Sequence, residues 1–161
     1  CITSRTLFAH GTGLTKKEWD QLSSTHAGIS HCPASNLFWS MGLLPVNHLL
    51  SKQILIGLGT DSGGGPSLSM FEVMKSAGDI SKILVGENQS HHWLSAYELL
   101  KMATYNGAKM LGIEQIVGTL EPGKKADFII VQDQISDPFY EYKDVQLPYQ
   151  SLPERLSRVI Y

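Results

Sequence analysis

Residues 54–61 read Ile54-Leu55-Ile56-Gly57-Leu58-Gly59-Thr60-Asp61, an apolar run of strand length that ends on a carboxylate. Ser62-Gly63-Gly64-Gly65-Pro66 follows at once. A carboxylate delivered by a buried strand is costly to desolvate unless it binds a cation or accepts hydrogen bonds. Asp61 is therefore a candidate metal ligand and catalytic group, able also to take the proton of a metal-bound water. The alternative is turn chemistry, because Asp before Ser-Gly is a common turn former. The glycine run has neither dinucleotide-binding nor P-loop spacing. It reads as a tight turn, or as backbone approaching a flat ligand.

Two similar units lie upstream. Residues 6–9 (Thr-Leu-Phe-Ala) form a short apolar run that ends at His10. A helix follows, marked by a capping box of Thr15 and Glu18. Beyond Gly28, residues 29–31 read as a second short strand, which opens His31-Cys32-Pro33-Ala34-Ser35-Asn36. Residues 45–53 are expected to be helical, and 54–59 make the third strand. Strands followed by helices argue for βα units on a parallel sheet. A polar residue stands at the end of each strand: His10, His31 and Asp61. In parallel (β/α) barrels that edge carries the chemistry.

His10 could polarise a substrate carbonyl, orient an attacking water or bind metal; the alternative is a partly buried histidine bonded to backbone. His31 and Asn36 could each hydrogen-bond substrate or brace a loop. Pro33 forces Cys32 towards an extended conformation, and Cys32 itself reads as a small buried apolar residue. Trp19, Phe38, Trp39 and Phe71 read as packing residues, although Phe38 and Trp39 could border a pocket. The adjacent His91 and His92 fit a solvated loop, and Lys124-Lys125 a surface turn.

Downstream, Ser67 or Ser69 is expected to cap a helix running to about Leu84. A second capping box, Ser95 with Glu98, starts a helix whose apolar face is Ala96, Leu99, Leu100, Ala103, Gly107, Met110 and Leu111, at helical period. Residues 117–123 are turn-rich, and 126–131 read as a strong strand entering a small β layer. Residues 133–153 carry three prolines and read as a surface excursion. Residues 154–161 are expected to be a short helix or strand. The implied division is 1–115 for the sheet-and-helix part and 116–161 for the β layer and excursion.

The chain has 161 residues, 42% hydrophobic and 17% charged, ordinary for one globular domain. Its formal net charge of −2, with scattered Lys and Arg, gives no nucleic-acid track and no membrane-surface patch. No apolar run approaches the roughly 20 residues of a membrane span. Two cysteines make no disulfide framework, so a reducing cytoplasm is the expected setting. The start on Cys1, close to a core strand, points to a fragment of a longer chain.

Phe8-Ala9-His10-Gly11, His31-Cys32-Pro33-Ala34-Ser35-Asn36 and Gly57-Leu58-Gly59-Thr60-Asp61-Ser62-Gly63-Gly64-Gly65 together resemble the guanine deaminases of the amidohydrolase superfamily. Ala103-Thr104 with Gly107-Ala108, and Gly118-Thr119-Leu120-Glu121-Pro122-Gly123-Lys124-Lys125-Ala126-Asp127-Phe128, resemble that family's closing helix and its return into a β-sandwich. The resemblance implies an α/β fold: the C-terminal part, about strands six to eight, of a (β/α)8 TIM-type barrel plus part of a small β-sandwich domain. It implies hydrolysis of guanine to xanthine and ammonia with one zinc ion per subunit, in a protein that is a homodimer when complete. Asp61 matches the metal-binding aspartate and His10 the histidine beside the attacked carbon. A related amidohydrolase acting on another purine or a triazine, or a truncated non-catalytic product, are the competing readings. The family's zinc also needs a His-x-His pair, a further His and a nearby Glu; no His-x-His occurs here, and no histidine precedes His10. The resemblance therefore implies that this stretch alone binds zinc poorly and turns nothing over.

Overall fold

A computed structural model describes residues 1–131 and 151–161. Three short strands, β1 (Leu7–Ala9), β2 (Gly28–His31) and β3 (Ile56–Leu58), lie side by side in chain order. All pair parallel, with Phe8 opposite Ile29 and Ile29 opposite Ile56. The ladder outruns the assigned strand: Leu55 O accepts from Ile29 N, and Gly59 N donates to His31 O, each at 2.9 Å.

Side chains alternate across a strand, so Phe8, Ile29 and Ile56 share one face. Helices cover that face. Ile29 and Ile56 are fully buried and join Leu22, Leu44, Leu49, Met74 and Leu99 in one apolar core. α1 (Lys16–Thr25) is held at its start by the expected capping box: Thr15 N donates to Glu18 Oε2 at 2.7 Å. It ends at His26, which adopts the left-handed conformation with φ 55°. α4 (Met70–Gly86) starts from Ser69, the second of the two caps expected. Val73, Met74, Ala77, Ile80 and Leu84 form its buried stripe, the period an amphipathic helix needs.

Two helices occupy the loops that leave the strands. α2 (Pro33–Phe38) follows β2 directly with Pro33 in its first turn, and α3 (Val46–Ser51) lies within the expected 45–53. α2 falls where the sequence suggested only a loop. It is six residues long and has no side-chain cap, so it lacks the usual start signal; proline is nevertheless well suited to a first helical position.

The helix expected to continue past Ala103 is broken in two, α5 (Ala96–Ala103) and α6 (Tyr105–Met110). Thr104 sits between them at φ −125°, ψ −88°. Its hydroxyl donates back to Leu100 O at 2.7 Å, a bond that competes with helix continuation. Buried Asn106 Nδ2 then donates to Ile56 O at 2.8 Å and ties α6 to the sheet. Met110 of α6 lies so close to Gly57 that a Cβ there would stand 2.9 Å from its sulfur.

The strand expected over 126–131 is not formed. Phe128, Ile129, Ile130 and Val131 are 59%, 71%, 88% and 47% exposed. A strand needs a ladder partner for its backbone groups, and none of the described residues pairs with this segment. The excursion expected over 133–153 lies mostly outside the described residues. α7 (Leu152–Ile160) resolves the helix-or-strand choice at the C-terminal end as a helix, with Ser151 and Glu154 forming a capping box.

Candidate active site

His10 and Asp61 leave the C-terminal ends of β1 and β3, and both bend into the left-handed region, at φ 63° and φ 55°. That region costs a non-glycine residue of order 1 kcal/mol or more, and such strain clusters at functional sites. Local bonds hold both turns. His10 N donates to Ser30 O at 2.9 Å; Gly64 N and Gly65 N donate to Asp61 O at 2.9 and 2.5 Å. The turn needs glycine at 65, because a Cβ there would collide with the backbone oxygen of Thr60.

The two side chains converge. His10 Nε2 stands 3.9 Å from Asp61 Oδ2, with the side chains 23% and 32% exposed. Each is braced from α2. Asn36, fully buried, accepts from His10 Nδ1 through Oδ1 at 2.7 Å. That bond places the neutral ring's proton on Nδ1 and leaves the Nε2 lone pair facing the site. Ser35 Oγ donates to Asp61 Oδ2 at 2.6 Å. Among the described residues no hydrogen bond engages Asp61 Oδ1. Trp39, at the C-terminal end of α2, donates its indole N–H to Gly64 O at 2.6 Å.

The structure therefore brings together His10, Asn36 and Asp61 of the four candidates. His31 stands apart. It is fully buried, and neither ring nitrogen has a hydrogen-bond partner among the described residues. It pairs with Leu58 across the ladder and shares the Ile29 face by strand alternation. Burial, followed by the charge of His10, pushes its imidazole down to about 3, so it is neutral at ordinary pH. Burial likewise pushes the Cys32 thiol up, as suits an apolar packing residue. Phe38 and Trp39 are not core residues: they are 60% and 59% exposed and meet edge to face, 4.9 Å between centroids. Lys124 is more than a surface turn residue, since its ammonium bonds Thr119 Oγ1 at 2.6 Å and Glu121 at 3.1 Å.

Ser35 is the site residue that the sequence did not single out. Its only signal was membership of the His31–Asn36 segment; its partner lies 26 positions away.

Carboxylate and imidazole are both donors that zinc takes, and zinc sites use about four ligands. Among the described residues no group of three His, Cys, Asp or Glu side chains converges. Asp61, with its free Oδ1, and His10 beside it fit one side of such a site and do not close it.

The amidohydrolase family profile matches residues 2–151. The chain is 37% identical over 126 residues to guanine deaminase of Escherichia coli (strain K12), covering 78% of this chain and 27% of that protein. It is 40% identical over 126 residues to a 5-methylthioadenosine/S-adenosylhomocysteine deaminase of Pelotomaculum thermopropionicum, covering 78% and 28%. Among solved structures, guanine deaminase from C. acetobutylicum with bound guanine in the active site superposes with a TM-score of 0.79 at 32% identity, covering 97% of this chain and 35% of that one. An adenosine deaminase from Xanthomonas campestris with bound zinc superposes at 0.76 and 27% identity, covering 99% and 34%. The chain thus spans about a third or less of the length of these relatives. A profile match over nearly its whole length, with this strand-end geometry, makes the chain a member of the amidohydrolase family.

Proposed function

We propose that this chain is the C-terminal part of a zinc-dependent guanine deaminase, whose complete form hydrolyses guanine to xanthine and ammonia. The observation that carries the reading is the pairing of Asp61 and His10 at the ends of parallel strands, 3.9 Å apart and both forced into left-handed backbone. The likeness to guanine deaminases in sequence and in structure supports the substrate. The zinc seen in a related deaminase supports the metal.

In this reading β1, β2 and β3 are the last three strands of an eight-stranded barrel, and 116–161 begins its β-sandwich. The complete protein is a cytoplasmic homodimer with one zinc per subunit, its remaining ligands supplied by other parts of the chain. A bound zinc would supply Lewis acidity that lowers the pKa of water. The residues of this chain do the rest of their share directly. Asp61 would hold the cation through its carboxylate and would accept a proton from water. His10 is oriented by Asn36 so that Nε2 meets the substrate beside the attacked carbon. Asn36 acts through His10, and His31 supports the strand end from beneath.

The test is ammonia release by the complete protein from guanine, adenine and 5-methylthioadenosine offered separately, beside chloride release from a chlorotriazine. Guanine is expected to have the highest kcat/KM. Preference for 5-methylthioadenosine would move the assignment to the other deaminases that the chain resembles.

A further inference from the structure

Helix α2 grips the site at three points. Ser35 bonds Asp61, Asn36 bonds His10, and Trp39 bonds the glycine turn at Gly64. The first of these has the most direct bearing on chemistry. Ser35 is 1% exposed, and the proton of its hydroxyl goes to the carboxylate rather than to backbone. At 2.6 Å the contact lies in the range of charge-assisted hydroxyl–carboxylate bonds. It is made at Oδ2, the oxygen that also faces His10 Nε2 at 3.9 Å, and among the described residues no hydrogen bond engages Oδ1.

We propose that Ser35 is a positioning residue for Asp61, fixing the rotation of the carboxylate so that it meets a divalent cation in a single orientation. This rests on the reading of Asp61 as a metal ligand. A carboxylate left free to rotate would offer either oxygen, in varied directions, and would lose the geometry that a metal with a fixed ligand shell selects. Removing the hydroxyl should not strand a buried group. The Asp61 side chain is 32% exposed, so water can replace Ser35 at Oδ2. The loss therefore falls on metal binding more than on folding.

The experiment uses the complete protein, stripped of metal and titrated with zinc against a competing chelator. Ser35→Ala is expected to weaken zinc binding by about 10- to 100-fold, the usual effect of losing a partner that orients a ligand, with the metal-free Tm shifted by no more than a few degrees. Ser35→Thr keeps the hydroxyl and is expected to recover most of the affinity. At saturating zinc, S35A should lower kcat for guanine and leave KM within about threefold. Wild-type zinc affinity in S35A overturns the proposal, as does an S35A protein that unfolds, which would assign Ser35 to the core. A Thr variant as weak as the Ala variant also counts against it. If the wild type binds zinc but releases no ammonia from guanine, the substrate reading falls and the role of Ser35 is still decided by zinc affinity. If the wild type binds no zinc, both fall.

Discussion

His31 is held at about 3, first by burial and then by the charge of His10, which gives stability a definite pH dependence. An unfolded histidine titrates near 6.5. Below that pH the unfolded chain takes up a proton that the folded one refuses, so stability is complete above 6.5 and falls as pH drops towards 3. The full effect is on the order of several kcal/mol. His31→Gln should flatten the loss of Tm between pH 7 and 5; a variant with the wild-type slope would remove His31 as the cause. At His10 the expectation is kinetic: His10→Ala should cost about 10²- to 10⁴-fold in kcat, the scale of a missing acid–base or orienting group. A loss under threefold would show that His10 is a bystander. Asp61 and His10 were legible in the sequence because each ends an apolar run. Ser35 was not, because the bond that gives it meaning is made only when β2 and β3 pair.

The glycine turn after β3 and the helices around it show which elements local sequence could specify. Capping boxes at Thr15 and Ser95 were readable because donor and acceptor sit three residues apart. Ser95→Ala should cost about 1 kcal/mol of stability, seen as a modest drop in Tm with catalysis intact. The break at Thr104 and the missing strand at 126–131 were not readable. The first depends on Asn106 finding Ile56 O across the sheet, and the second on a ladder partner that the apolar run cannot announce. Gly65 is the strictest position of these elements. Its Cβ would meet the Thr60 carbonyl, which belongs to the backbone and cannot swing aside. Gly65→Ala should displace the Asp61 turn and abolish zinc retention in the complete protein; an alanine variant holding zinc at wild-type affinity would refute that geometry.

At the scale of the molecule, three parallel strands cannot complete what they begin. Among the described residues nothing pairs with the outer edge of β1, Leu7 is 38% exposed, and Phe128, Ile129, Ile130 and Val131 present four apolar side chains to water. Exposed edges and apolar patches of this kind favour association with other chains. The site is incomplete in the same way: one carboxylate and one imidazole face each other, and no third ligand joins them among the described residues. A carboxylate with one imidazole beside it holds zinc far more weakly than the four ligands of a closed site. The 161-residue chain expressed by itself is therefore expected to elute as aggregates or mixed oligomers in size-exclusion chromatography. It should lose its zinc on dialysis and release no ammonia from guanine. Turnover by the purified 161-residue chain, with about one zinc retained per copy, would mean that a complete site assembles from these residues. In that case the division of the metal site between this stretch and the rest of a longer protein would be wrong.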